Sequence, residues 1–336
     1  MRIVIATDAW YPQTNGVVKT LTMTGDELRA QGHEVLYLTP EPFKTIPLPT
    51  YNEIRLSLFP GRKIRRMLDE FVPEAIHIAT EGPIGLAVRA YCQRNKLPFT
   101  TSYHTQFPEY VRLRFPVPLS ISYRLLRWFH AASVRTMVPT ESQRKRLEKW
   151  KFSNIKIWSR GVDTELFKPC ESKSGSREHP VMLYVGRVAV EKNLDSFLSL
   201  ELAGSKVIIG DGPDMLKLRK RYPDVHFAGY KFGQELANAI ADANVFVFPS
   251  KTDTFGLVML EAMACGVPVA AYPVTGPVDV VVNGETGALD VELDKAVLAA
   301  LELDSNKARE YALQHSWREC TQHFLKHLAP INSPPG

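Results

Sequence analysis

The sequence predicts an α/β protein built from two parallel-sheet domains, and three observations carry that prediction. At 336 residues the chain exceeds one ordinary domain and suits two of about 150 residues each. Short apolar runs rich in β-branched residues alternate with helix-length segments along the chain, the pattern of βαβ units. Residues 242–272 show the unit in full: 245–248 read as a buried strand, 249–253 as a turn, 257–264 as a helix stopped by Gly266, and 267–271 as the next strand. That turn falls at the carboxyl end of a parallel strand, where open α/β sheets bind ligands.

Composition narrows the function classes. With 45% hydrophobic residues, two cores can be filled. Cys92, Cys170, Cys265 and Cys320 show no metal or redox spacing, which points to a reducing compartment. The start, Met-Arg-Ile-Val-Ile-Ala-Thr-Asp, is too short an apolar run for a signal peptide. No stretch nears the roughly 18 apolar residues of a spanning helix, so neither secretion by that route nor a membrane span is expected. Residues 1–165 hold 24 Lys+Arg against 15 Asp+Glu, a charge of +9, and the remainder carries −4. A basic half suggests an anionic partner, either nucleic acid or an anionic lipid surface.

In chain order, residues 2–7 read as a strand, 17–31 as a helix stopped by Gly32, and 34–39 as a strand. The loop between lacks GxGxxG, which disfavours a dinucleotide cofactor. Asn15-Gly16 in that loop permits positive φ and close approach to a ligand, and equally fits a tight turn. Residues 41–60 are proline-rich and irregular, and 61–66 open a helix carrying four cations. Strand 75–79, helix 82–95 and strand 99–104 follow. His104 ends the last of these at the ligand edge, where a lone histidine fits a structural role as well as a catalytic one.

Residues 110–130 set Arg112, Arg114, Arg124 and Arg127 among Phe115, Leu125, Leu126, Trp128 and Phe129 on one expected helix. The mixture fits an interfacial membrane surface or a core-packed helix with a solvated Arg face. It follows no nucleic-acid-binding module, so nucleic acid is not expected. Strand 134–139, a helix capped by Thr140 and strand 155–158 complete the first half. Polar residues 169–180 read as the interdomain linker.

The second half opens with strand 181–185, after which Arg187 and Lys192 leave the strand end just before a helix. Two cations so placed can clamp a diphosphate and neutralise a departing nucleoside diphosphate. Strand 206–209, the turn Gly210-Asp-Gly-Pro213 and strand 225–228 lead to Gly229 and Tyr230. In the turn after strand 245–248, the amides of Thr254, Phe255, Gly256 and Leu257 read as unpaired first-turn donors suited to a diphosphate. Asp253 and Glu261 would stand roughly 12 Å apart if the span between them were helical. Two acceptor-only carboxylates suit the hydroxyls of a sugar and of a ribose. A helix cap and a surface charge are the plain alternative, but Glu261 sits among Leu260, Ala262, Met263 and Ala264, an awkward place for an unpaired carboxylate. Turns at 275–279 and 283–287 and a helix at 292–303 follow. Residues 306–328 read as one long amphipathic helix including Trp317.

Asp253…Glu261, followed by Ala-Met-Ala-Cys-Gly-Val-Pro-Val, resembles the acid-x7-Glu signature of the retaining glycosyltransferases called family 4. The first acid is most often Glu there and is Asp here. Gly186-Arg187…Lys192 resembles the same family's Gly-Arg-x4-Lys donor-phosphate motif. The stretch from Thr252 to Ala270 resembles the branch that holds sulfoquinovosyl-, glucosyl- and glucuronosyl-diacylglycerol synthases and GDP-mannose-dependent α-mannosyltransferases.

The resemblance implies the GT-B fold, two Rossmann-like domains facing a central cleft. It divides the chain into an acceptor domain over 1–165, a donor domain over 166–310 and a returning helix over 311–336. By the same resemblance Arg187 and Lys192 hold the diphosphate together with the backbone of Thr254–Leu257. Glu261 takes the ribose and Asp253 the donor sugar. His104 contacts the sugar and the reacting centre, and the Gly16 loop reaches the donor phosphates and the acceptor. It implies no metal and no cofactor beyond the nucleotide-sugar. The expected reaction moves a hexose, from a UDP-sugar by preference, to a lipid or glycolipid acceptor such as diacylglycerol. With the basic half, this suggests a cytoplasmic enzyme peripheral on the inner, anionic face of the cytoplasmic membrane. A GDP-mannose-dependent mannosyltransferase, a nucleotide-sugar epimerase and a non-catalytic binding protein are the alternatives.

Overall fold

The computed structural model describes residues 1–13, 15–48, 51–170 and 180–331, and the chain divides into two compact units. One takes Met1–Ser159 and the residues from Trp317 on; the other is Arg160–Ser316. Of the expected linker, residues 171–179 lie outside the described residues, and the division falls at Ser159/Arg160.

The first unit begins with β1 (Arg2–Ala6), α1 (Gly16–Ala30) and β2 (Glu34–Leu38), then β3 (Thr45–Leu48), β4 (Tyr51–Ser57) and α2 (Gly61–Phe71). It continues through β5 (Ala75–Ile78), α3 (Pro83–Arg94), β6 (Thr100–Ser102), α4 (Phe107–Arg114), α5 (Leu119–His130), β7 (Arg135–Val138), α6 (Glu141–Lys149) and β8 (Ile155–Ile157). Six strands form one sheet in the order β2-β1-β5-β6-β7-β8, with every pair parallel. β1 is a nearly continuous apolar run, buried on both faces from Ile3 to Ala6. Val4, Ala6, Ile76 and Ile78 pack with Ile64 and Leu68 of α2 and with Ile84, Val88 and Cys92 of α3.

Two expectations in this unit are corrected. The proline-rich stretch 41–60 is not wholly irregular, since β3 and β4 pair as an antiparallel ribbon with Pro47 opposite Arg55. A two-stranded ribbon is all edge, where a proline's missing N–H leaves no ladder bond unmade. Residues 110–130 are not one helix. Phe115, which precedes Pro116, is extended (φ −134°, ψ 145°), as a residue before proline must be, and separates α4 from α5.

The second unit runs β9 (Val181–Val185), a 3-10 turn (Val190–Lys192), α7 (Leu194–Leu198), β10 (Ser205–Ile209), α8 (Met215–Arg221), β11 (His226–Gly229) and α9 (Gly233–Ala241). Then come β12 (Val245–Phe248), α10 (Leu257–Ala264), β13 (Val269–Ala271), α11 (Pro277–Val280), β14 (Gly287–Leu289), α12 (Leu293–Leu301) and α13 (Ser305–Leu313). Its sheet, β11-β10-β9-β12-β13-β14, is again parallel throughout.

The single helix expected over 306–328 is two, α13 and α14 (Trp317–His327). The His315 carbonyl accepts the Val162 N–H at 2.9 Å, which takes it out of any helical ladder. Ala308 and Ala312 then face the second unit's core, whereas α14 buries Trp317, Cys320 and Phe324 in the first. The Phe324 ring meets His77 at 4.9 Å and Trp158 at 4.8 Å, and α14 lies along α1.

Candidate functional site

In the second unit the predicted residues gather at the carboxyl ends of β9 and β12. Gly186 leaves β9 with φ 150°, and a Cβ there would stand 2.7 Å from the Tyr184 hydroxyl, which donates to the Arg187 carbonyl at 2.9 Å. Arg187 thus leaves the strand on a backbone pinned from inside the sheet. Lys192 closes the 3-10 turn that follows. Its Nζ donates to both oxygens of Asp253, at 2.6 and 2.8 Å, with side chains only 17% and 16% exposed. Burial works against the Lys192 charge, but the Asp253 carboxylate outweighs it, so this lysine titrates above its ordinary range.

Three further contacts hold the turn to the loop after β12. Asn193, in a left-handed conformation (φ 54°), donates from Nδ2 to the Pro249 carbonyl at 3.1 Å. The hydroxyls of Ser250 and Thr252 both donate to the Glu191 carbonyl at 3.3 Å. Lys192 and Asp253 therefore meet because two loops from neighbouring strands are tied together.

Beyond Asp253 comes α10, and here the expected geometry is corrected. Its cap is Gly256 (φ 83°, ψ 65°), so the helix starts at Leu257. Thr254 and Phe255 precede the cap, and only the second half of the Asp253–Glu261 span is helical. The first-turn donors accordingly begin at Leu257 rather than Thr254. As a glycine, the cap brings no side chain of its own to the first amides. A Cβ at Gly256 would approach Phe248 Cζ to 2.9 Å and Met259 Cε to 2.7 Å, so both the left-handed angle and the packing require glycine.

Every residue of α10 except Val258 is buried, Glu261 included at 3% exposure. A helix apolar on all sides is a core helix, and the one carboxylate on it is its exception. At its far end Arg309 donates to the Ala264 carbonyl at 2.7 Å and to the Phe167 and Thr164 carbonyls. The carboxyl end of the macrodipole is thus met by a fixed cation.

The glycines at 210 and 212, a weak signal in the sequence, are spacers for the Arg187 loop. A Cβ at Gly210 (φ 130°) would fall 1.9 Å from the Gly186 carbonyl oxygen, and one at Gly212 2.3 Å from that of Val188. Backbone bonds Val188 N to Asp211 O and Asp214 N to Val188 O complete the interlock.

In the first unit Gly16 is the first residue of α1 and has no positive φ, which corrects the turn reading. Asn15 is the cap, its Oδ1 accepting from Val17 N and Val18 N at 3.0 Å. A Cβ on Gly16 would meet nothing within 4 Å, so the position is open.

His104 lies just past β6, 9% exposed, its ring edge-on to Trp158 at 5.7 Å. Its Nε2 is 2.8 Å from Ser102 Oγ, which is 2.9 Å from His77 Nε2. His77 Nδ1 is 2.9 Å from Thr100 Oγ1, whose hydroxyl donates to the Ile76 carbonyl. Each hydroxyl has one proton to give, so with both imidazoles neutral the chain runs one way. Thr100 accepts from His77 Nδ1–H, Ser102 donates to His77 Nε2, and His104 donates from Nε2–H to Ser102. The fixed carbonyl of Ile76 thereby sets the tautomer of His104.

Asp8, just past β1, drew no functional reading from the sequence. Its carboxylate accepts from Ile84 N at 2.9 Å, Gly85 N at 3.3 Å and Thr80 Oγ1 at 3.0 Å. It thereby caps α3 from another strand's end. Burial pushes its pKa up to about 6, against the pull of those three donors and with a smaller push from Glu81. A carboxylate directly after the first strand was the signal available.

A hollow of about 760 Å³ in the second unit is elsewhere. It lies at the amino ends of β10 and β11, beside Ser205, Lys206, Val225 and His226. None of the predicted residues lines it. The candidate site is at the opposite sheet edge, where Arg187, Lys192, Asp253 and the start of α10 follow β9 and β12. Among the described residues no group of three or more His, Cys, Asp and Glu gathers as a metal cluster would, and no helix is long and apolar enough to cross a membrane.

Comparison with known proteins accords with this geometry. The family model Glycosyltransferase Family 4 matches residues 14–166, and the model Glycosyl transferases group 1 matches residues 179–302. The sulfoquinovosyl transferase of Arabidopsis thaliana is 32% identical over 88% of this chain, which spans 66% of that protein's length. A GDP-mannose-dependent alpha-mannosyltransferase of Mycobacterium tuberculosis is 29% identical over 86% of this chain and 83% of its own. An alpha-monoglucosyldiacylglycerol synthase of Streptococcus pneumoniae is 26% identical over 81% and 71%. Among solved structures, sucrose-phosphate synthase from Thermosynechococcus elongatus superposes with a TM-score of 0.77 at 21% identity, covering 97% of both chains. Anabaena HepE in complex with UDP and glucose gives 0.73 at 15% identity, covering 97% of this chain and 98% of that one. With matches over both units, and the same two-sheet fold along nearly its whole length, the chain belongs to the family 4, group 1 glycosyltransferases of the GT-B fold.

Proposed function

We propose that this glycosyltransferase moves a hexose, with retention of anomeric configuration, from a nucleotide diphosphate sugar to a lipid acceptor such as diacylglycerol. One observation carries the donor side. The Lys192–Asp253 pair lies on the loops that follow β9 and β12, the first carrying Arg187 and the second leading through the glycine cap into α10, with Glu261 buried one turn along that helix. Lys192 has three N–H bonds, of which Asp253 takes two; the third goes to a diphosphate oxygen. Arg187 supplies the second cation, and the amides from Leu257 on supply neutral donors aimed at the same charge. Together they stabilise the departing nucleoside diphosphate without a metal ion. Glu261 accepts from the ribose hydroxyls. Asp253 accepts from a donor-sugar hydroxyl and, being one methylene shorter than Glu, does so from further back. To His104 we assign the sugar and the reacting centre, and to the Gly16 loop the donor phosphates and the acceptor.

The lipid acceptor is supported by relatives named as a sulfoquinovosyl transferase and a monoglucosyldiacylglycerol synthase, and a UDP-sugar by the UDP and glucose bound to HepE. A second reading is GDP-mannose-dependent mannosyl transfer, which the mycobacterial and corynebacterial relatives favour. Incubation with UDP- and GDP-sugars and a lipid extract, read by mass spectrometry, separates the two. An α-hexosyl lipid formed from a UDP-sugar supports the first reading, and mannosyl product from GDP-mannose alone selects the second. Sugar isomerised without acceptor, or no turnover with any donor, refutes both.

A further inference from the structure

Glu81 follows β5 in the first unit and directly precedes Gly82, the cap of α3. Its backbone is held by Asp8, which accepts from Thr80 Oγ1, Ile84 N and Gly85 N. Asp8 lies so close that a Cβ on Gly82 would stand 2.4 Å from its Cγ. The Glu81 side chain is held by His130, the last residue of α5, whose Nε2 is 3.1 Å from Oε1. An ionised carboxylate only accepts, so the bond runs from the His130 N–H to Glu81. His130 Nδ1 is 2.9 Å from Thr101 Oγ1 on β6, so the imidazole is fixed at both nitrogens.

The ordinary roles of a carboxylate before a helix do not account for this arrangement. Asp8 already meets the first amides of α3, so Glu81 is not needed there. A second carboxylate beside Asp8 works against it, since Glu81 adds to the rise in the Asp8 pKa. A counter-charge meant only for His130 would be buried with it, yet the Glu81 side chain is 25% exposed and that of His130 1%. Oε1 is tied, and among the described residues Oε2 has no hydrogen-bond partner. A carboxylate locked by one oxygen and open at the other is preorganised to take a hydroxyl. It stands at the carboxyl edge of the sheet, where ligands bind, and β5 is the neighbour of β6, which His104 follows.

We propose that Glu81 receives the attacking hydroxyl of the acceptor, accepting its hydrogen bond on Oε2 while His130 holds Oε1. Glu81 forms no bond to the sugar in this role; it fixes where the nucleophilic oxygen sits. His130 is a positioning residue that acts through Glu81. This rests on the reading of the reaction as transfer to a hydroxyl, and it deepens that reading by naming the group that orients the hydroxyl. Any attacking O–H is held alike, that of water included.

The test is Glu81→Gln in the full chain, with UDP-glucose and GDP-mannose as donors. In this variant the His130 N–H keeps the amide oxygen, so the amide NH2 takes the outward place and offers no acceptor. Transfer to diacylglycerol dispersed in detergent falls about 10- to 100-fold in kcat/KM for the acceptor, from the loss of one bond to a charged group. Hydrolysis of the donor by water, measured without acceptor, falls with it. UDP and GDP bind as to the wild type, which shows that the variant folds. His130→Leu, which frees Glu81, loses about fivefold in the same rates. His130→Gln, whose amide N–H reaches the place of Nε2, recovers most of that loss. Wild-type transfer and hydrolysis in Glu81→Gln overturn the proposal, as does equal activity of His130→Leu and His130→Gln. A wild type that hydrolyses its donor but leaves diacylglycerol unmodified fails the lipid-acceptor reading instead, and the hydrolysis rate of Glu81→Gln then decides for or against Glu81.

Discussion

Lys192→Met removes the ammonium to which both oxygens of Asp253 are bonded. Breaking a buried pair from one side costs about 3–5 kcal/mol. With the two side chains 17% and 16% exposed, the lower end applies, about 3 kcal/mol after screening. At about 2–4 °C per kcal/mol for a domain of this size, thermal unfolding of the second unit falls by about 6–12 °C. Asp253→Leu, which leaves the Lys192 ammonium in place instead, costs a similar amount. The double variant leaves neither charge behind, so it is more stable than the sum of the singles by about 2–3 kcal/mol. Catalysis does not recover with stability. Lys192→Met loses about 10²–10³ in kcat with the charge it placed on the leaving group, and the double variant is no better. The assay is denaturant and thermal unfolding of the four proteins beside steady-state transfer. Single-variant costs that add to within about 0.5 kcal/mol, or a double variant with wild-type kcat, would refute the reasoning.

Three further outcomes follow from the geometry. Because the folded state raises the Asp8 pKa to about 6, it holds that proton more tightly than the unfolded chain. The stability this contributes is full below about pH 4 and is lost as pH rises through 6, about 3 kcal/mol in all. Asp8→Asn flattens that part of the profile, and urea midpoints of the two proteins from pH 4 to 7 that run parallel would contradict it. Gly210→Ala puts a Cβ 1.9 Å from the Gly186 carbonyl oxygen at φ 130° and costs about 2–5 kcal/mol through strain and overlap. Calorimetry should show both this loss and weaker nucleotide binding, and an unchanged melting temperature would count against the interlock. Ser102→Ala cuts the relay to His104. In ¹⁵N-histidine spectra the Nε2–H tautomer gives way to a mixture, and kcat drops about fivefold with little change in KM for the donor. A His104 signal identical to the wild type's would remove Ser102 from that role.

Much of the fold was legible because parallel strands covered on both faces are continuous apolar runs, as in Ile3–Ala6 and Val245–Phe248. The candidate site was legible where side chains of suitable chemistry directly follow a strand: Arg187, Lys192 and Asp253 all lie after strands at one sheet edge, and Glu261 announced itself by its apolar neighbours. What escaped was set by distant backbone. The split of residues 306–328 depends on Val162 taking the His315 carbonyl, and both halves keep helical periodicity, so nothing local marks the break. Asp8 acts through amides of α3, and His104 through Ser102 and His77 on two different strands. The break between α4 and α5, by contrast, was written in Phe115-Pro116 and could have been read. The start of α10 hinges on Gly256 being left-handed, and a glycine in sequence does not disclose its angle.

The most direct measurement is a crystal structure of the chain with a bound nucleotide or nucleotide-sugar. Diphosphate oxygens within hydrogen-bond distance of Lys192 Nζ, the Arg187 guanidinium and the first amides of α10, with ribose hydroxyls on Glu261, are the predicted result. A nucleotide seated instead in the hollow at the amino ends of β10 and β11, beside Lys206 and His226, would contradict it.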